Sequence, residues 1–136
     1  MTMKAIKKGG RFSPIKIRID QEYKVIYFSA GFCREYSFSD KTIKFVRLGY
    51  DTETNKIGIE FCKDNDNSGG LYKFSIYGGC TSTSYSCHMQ ALLTDFKLNI
   101  SDIAGSYFEN AIEGPVNIPQ FCKNGFLLNV YKRVKV

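Results

Sequence analysis

"IKIRIDQEYKVIYFS", residues 15 to 29, decides the fold. Ile15, Ile17 and Ile19 alternate with Lys16 and Arg18, a period of two that puts apolar side chains on one face of a strand and charges on the other. Asp20 to Tyr23 reads as a turn and "KVIYFS" as a second strand. The next segment, "AGFCREYSFSD", is too short for a stable isolated helix but suits one or two turns packed on a sheet, with Ser29 as the N-cap. "TIKFVRLGYD" predicts a third strand, with Ile43, Phe45, and Val46 or Leu48 as its apolar members. "KIGIEF" predicts a fourth, with Ile57, Ile59 and Phe61 on one face, and the two make a hairpin around Asp51 to Asn55.

The same pattern returns 57 positions on. Ile15 to Ile19 falls on Tyr72 to Ile76, and Phe28-Ser29 falls on Tyr85-Ser86 with no gap between them. The first turn falls on Tyr77 to Cys80, and the short helix on "CHMQALLTDF", which puts Cys87 at a helix start. "GSYFENAI" is the expected third strand and "GFLLNVYKRV" the fourth, joined by a longer loop, "EGPVNIPQFCKN", with Pro115 and Pro119. The chain thus reads as two diverged copies of one unit, residues 15–63 and 71–136, joined by the polar linker 64–70 and preceded by a flexible basic arm, residues 1–14. Units this small cannot each bury a core. The expected fold is mainly β with a minor α component: two tandem ββαββ units forming one compact, intramolecular pseudo-dimeric β-barrel or sandwich.

Composition agrees with strands. Eleven Phe and nine Tyr stand beside no Trp, within an ordinary globular balance of 43% apolar and 24% charged residues. No apolar run approaches the ~20 residues that span a bilayer, and the N-terminal stretch lacks the apolar core of a secretory signal. Five cysteines at irregular spacings read as free thiols in a reducing cytoplasm.

Charge is lopsided within the net +6. Residues 1–64 carry thirteen Lys or Arg against eight Asp or Glu; residues 65–136 carry six against five. A basic half is either a lysine-rich surface or a site for a polyanion. Chemistry is otherwise scarce. Cys80, Cys87 and His88 cluster in sequence, but no Cys-x-x-Cys pair exists, so neither a metal nor a cofactor is expected. Cys87 and His88 are neighbours whose side chains diverge, which disfavours a nucleophile–base pair, although a helix-start thiol would carry a lowered pKa. "DTETN" and "DNDNSGG" have the composition of calcium loops without the closing Glu, and read as turns. No enzymatic activity is expected.

The order strand, turn, strand, short helix, strand, turn, strand over residues 15–61 resembles the swapped-hairpin units of the AbrB, MazE and SpoVT family. The opening "GRFSP-K-I" and the hairpin "D-x-E-x-x-K-I-G-I" are also similar to uncharacterised bacterial proteins. The family's "G-R-[VI]-x-[IL]-P" strand is replaced here by "EYKVIYFSAG". The resemblance implies a small bacterial DNA-binding protein of regulator or antitoxin-like type, binding double-stranded DNA as a monomeric pseudo-dimer or as a homodimer. Lys16, Arg18 and Lys24 would meet phosphates, helped by Lys7, Lys8 and Arg11 of the arm, with Arg18 or Arg34 reaching a base edge. The second copy has Ser75 and Thr81 in place of Arg18 and Lys24, so the contact would be one-sided. Two other readings stand beside it. One is a protein-interaction or structural module with Tyr23, Tyr27, Tyr36, Tyr50 and Tyr77 as its surface. The other is a single-stranded nucleic-acid binder using Lys24, Tyr27, Phe28, Lys44 and Phe45.

Overall fold

A computed structural model describes residues 14–36, 45–62, 71–73, 75–77 and 84–135. The first half follows the expected order: β1 (Lys16–Asp20), β2 (Val25–Phe28), α1 (Ala30–Glu35), β3 (Phe45–Asp51) and β4 (Lys56–Cys62). The second half is more broken. It runs β5 (Leu71–Lys73), β6 (Ser75–Tyr77), β7 (Ser84–His88), α2 (Gln90–Asp95), β8 (Gly105–Phe108), β9 (Ile112–Ile118) and β10 (Cys122–Asn129). The basic arm, the linker and the expected strand start at Ile43 lie outside the described residues.

These strands make two antiparallel sheets. Sheet A has the order β6-β7-β2-β1-β8, and sheet B the order β5-β3-β4-β10-β9. Each sheet draws strands from both halves of the chain. In sheet A the hairpins β1·β2 and β6·β7 stand back to back about the β2·β7 pair, with Phe28 opposite Tyr85. In sheet B the hairpins β3·β4 and β9·β10 meet through β4·β10.

One core lies between the sheets. Sheet A contributes Ile17, Ile19, Ile26, Phe28, Cys87 and Tyr107; sheet B contributes Val46, Leu48, Ile57, Ile59, Phe126 and Leu128. Aromatic rings join the two layers: Phe28 meets Phe61 at 5.0 Å edge-on, and Phe32 of α1 meets Phe126 at 5.1 Å. Pairs of this geometry add about 0.5–1.5 kcal/mol each beyond their area burial. The strands' period-two alternation is what makes one shared core possible, because every inward set is apolar.

The expected barrel does not close. Among the described residues no ladder joins sheet A to sheet B, so the architecture is a sandwich of two open sheets. One physical reason sits at residues 109–111. The expected third strand of the second half breaks there into β8 and β9 at a 3₁₀ turn (Glu109–Ala111). The chain leaves sheet A through that turn and enters sheet B. The expected loop around Pro115 is also corrected: it is β9, an edge strand, where a residue without an N–H is tolerated.

Ser29 holds the start of this arrangement. Its hydroxyl accepts from the Phe32 amide at 3.1 Å, as an N-cap should, and from the Lys16 amide at 3.1 Å, and donates to the Pro14 carbonyl at 2.7 Å. One side chain thereby ties the first residue of β1 to the first turn of α1.

Candidate nucleic-acid interface

Because Ile17 and Ile19 point inward, Lys16, Arg18 and Asp20 lie on the outer face of sheet A. The register sets their neighbours. Lys16 is opposite Phe108 on β8, and Arg18 lies between Tyr27 on β2 and Ser106 on β8. Directly opposed residues share a face, so cations and aromatics interleave across three adjacent strands.

The contacts follow the register. The Arg18 guanidinium carbon sits 4.5 Å from the Tyr27 ring centroid, and its Nη1 lies 3.1 Å from Asp20 Oδ1. The Arg18 side chain is 41% exposed, so this ion pair contributes about 0–1 kcal/mol and is readily exchanged for another anion. Lys16 Nζ stands 6.0 Å from the Phe108 ring centroid, the outer limit of a cation–π contact. Phe108 is 37% exposed, a large apolar side chain at the solvent boundary of a charged face.

The C-terminal segment extends this face. Ser106 and Val134 exchange two backbone hydrogen bonds, of 2.9 and 2.8 Å, along the free edge of β8. Arg133 fastens the segment by donating from Nε to the Ala104 carbonyl and from Nη1 to the Val130 carbonyl, each at 2.8 Å. Lys132 and Lys135, both exposed, flank this docked segment in the chain. Sequence reading missed these residues. Three of the six cations in residues 65–136 fall in "YKRVK", a local cluster that the half-chain balance conceals.

The expected binding residues therefore divide. Lys16 and Arg18 share one face. Lys24 is in the β1–β2 turn at φ 55°, lining a small cleft of about 320 Å³ with Gln90, Leu93 and Thr94. Arg34 is exposed in the last turn of α1. Lys7, Lys8 and Arg11 lie outside the described residues, as do Cys80 and Lys44.

The cysteine–histidine cluster is corrected. Cys87 and His88 belong to β7, not to a helix start; α2 begins at Gln90 and its N-cap position, Met89, makes no side-chain cap. Cys87 is buried, its thiol donates to the His88 carbonyl at 3.3 Å, and burial pushes its pKa up to about 12, opposite to the lowering that a helix start would give. His88 is exposed, opposite Val25. Among the described residues no group of three or more His, Cys, Asp or Glu is placed to hold a metal ion. The tyrosines also separate: Tyr23 is 66% exposed, whereas Tyr36 and Tyr50 pack against the core.

Sheet B carries a second concavity. Gly49 and Gly58 are cross-strand partners on its outer face, and the Phe121 ring from the β9–β10 turn lies over both. Arg47 stacks on Phe121 at 4.5 Å, pairs with Glu60 at 3.0 Å and donates to the Phe121 carbonyl. Between this turn and the β3–β4 turn lies a cleft of about 620 Å³, bordered by Asp51, Glu53, Lys56, Asn117 and Gln120.

Among the described residues no helix is long and apolar enough to cross a membrane. Comparison with family models, with curated proteins and with solved structures finds no match to this chain.

Proposed function

We propose that this chain is a non-enzymatic nucleic-acid-binding module whose contact surface is the outer face of sheet A. The observation that carries the reading is the placement of Lys16 and Arg18 on one face, beside exposed Phe108. Each cation that neutralises a phosphate releases a condensed counterion, so affinity falls steeply with salt. The regulator or antitoxin-like reading is supported by the strand, turn, strand, short helix, strand, turn, strand order of the first half. A cytoplasmic, bacterial DNA-binding role is part of the same proposal.

The test is fluorescence anisotropy of labelled oligonucleotides at low and moderate salt. Binding should weaken as salt rises, with a slope that drops by about one for each phosphate-contacting cation removed in Lys16→Ala and Arg18→Ala. Absence of binding at low salt would overturn the proposal. A protein-interaction module would then be the better reading, favoured by Tyr131 (73% exposed) and Phe96 (41% exposed), both linked to Tyr50 at the margin of the core.

A further inference from the structure

The shape of the same face selects among nucleic acids, an inference that rests on the reading above. Sheet A has five strands. Its open outer face runs over β8 and β1 to Tyr27 of β2, because Val25 and Ser86, which the register puts on the same face, are buried. Bases paired and stacked inside a duplex present no free ring face to these strands, so a duplex laid on them would offer mainly phosphates. A single strand is different, because its unstacked bases can lie on the sheet.

The side chains suit that arrangement. Phe108 is 37% exposed and stands beside Lys16. Tyr27, two strands away, carries the Arg18 guanidinium on its ring, and a guanidinium plane is itself a stacking surface for a base. Strand spacing and rise put Phe108 and the Arg18–Tyr27 pair roughly 12 Å apart on the diagonal, room for bases about two nucleotides apart along an extended strand. Lys16 lies between them, where the intervening phosphate would pass. Ser106, opposite Arg18 on β8, adds a small, half-buried polar neighbour.

We infer that the ligand class is single-stranded nucleic acid, with Phe108 as one base platform, the Arg18–Tyr27 pair as the other, and Lys16 on the backbone between. Stacking is tolerant of base identity, so little sequence preference is expected.

The experiment compares a labelled twenty-nucleotide oligothymidylate with a labelled twenty-base-pair duplex, titrated with the full chain at low salt. The single strand should bind at least tenfold more tightly. Phe108→Ala should weaken single-strand binding roughly tenfold and leave duplex binding within twofold, while Phe108→Tyr should restore it. Phe108 is at the surface, and circular dichroism of each variant confirms the fold. Duplex binding as tight as single-strand binding, or Phe108→Ala with no effect on either, overturns this inference and leaves the broader proposal standing. Binding of neither oligonucleotide overturns both.

Discussion

The carbonyl oxygen of Val134 occupies the space in which a side chain at Gly105 would begin: a Cβ built there meets it at 2.6 Å. Gly105 also has φ +143°, a conformation that L side chains rarely adopt. The two facts have one consequence. Only glycine lets the C-terminal segment lie against β8.

Gly105→Ala should therefore destabilise the protein by about 1–3 kcal/mol, combining strained backbone with loss of the Ser106–Val134 bridge. Urea denaturation reads this as a lower midpoint at unchanged slope. A variant as stable as the parent would mean that the tail does not dock as described.

On sheet B the glycines serve a different end. Cβ atoms at Gly49 and Gly58 would meet the Phe121 ring at 3.0 and 3.2 Å. Alanine is accommodated by a small tilt of that ring, but a branched side chain is not. Gly58→Val should expel Phe121 from the sheet, separate it from Arg47 and loosen the β9–β10 turn. Limited proteolysis should then cut near Gln120 faster than in the parent. Gly58→Ala should leave the cleavage rate nearly unchanged.

Ser29 shows how far sequence reading went and where it stopped. The cap was legible because a serine stood just before a short helical segment, and capping is a local geometry. The Lys16 amide and the Pro14 carbonyl on the same hydroxyl were not legible, because they depend on β1 turning back beside β2. The strands in residues 16–28 and 45–62 were legible from alternation. Residues 84–86 were legible only through the repeat register, since Ser84 and Ser86 alternating with Tyr85 give a weak apolar signal, and the helical "QALL" behind them drew Cys87 and His88 into the helix. Lys16 and Arg18 could be assigned to one face from sequence alone. Phe108 joined that face only through its pairing with Lys16, about ninety residues away, and Val134 only through its bridge to Ser106, neither of which a local pattern encodes.

Ser29→Ala removes the cap and leaves two backbone amides, at Phe32 and Lys16, without that acceptor. A lost N-cap costs about 0.5–2 kcal/mol. An unsatisfied, partly buried amide adds to this, so the total should be about 1–3 kcal/mol by urea midpoint. Ser29→Thr keeps the hydroxyl and should recover most of the loss. Equal destabilisation by alanine and threonine would show that packing, not the hydroxyl, governs this position.

Alkaline pH tests the burial of Cys87. Burial raises its thiol to about 12, and burial also raises the Tyr107 hydroxyl, which donates to the Ile103 carbonyl at 2.6 Å. In the unfolded chain the thiol ionises near its ordinary value of about 8.5. Above that pH the unfolded state has released a proton that the folded state keeps, so stability falls as pH rises. The contribution is fully present below the unfolded thiol pKa and is lost progressively toward the folded value. Between about pH 9 and 11, the slope from a single such thiol approaches 1.4 kcal/mol per pH unit. Cys87→Ala should flatten the curve in this window while lowering stability near neutrality through the cavity it leaves. The native thiol should also resist iodoacetamide at pH 8 and react once urea unfolds the chain. Rapid alkylation of Cys87 under native conditions would contradict its burial in the sheet A side of the core.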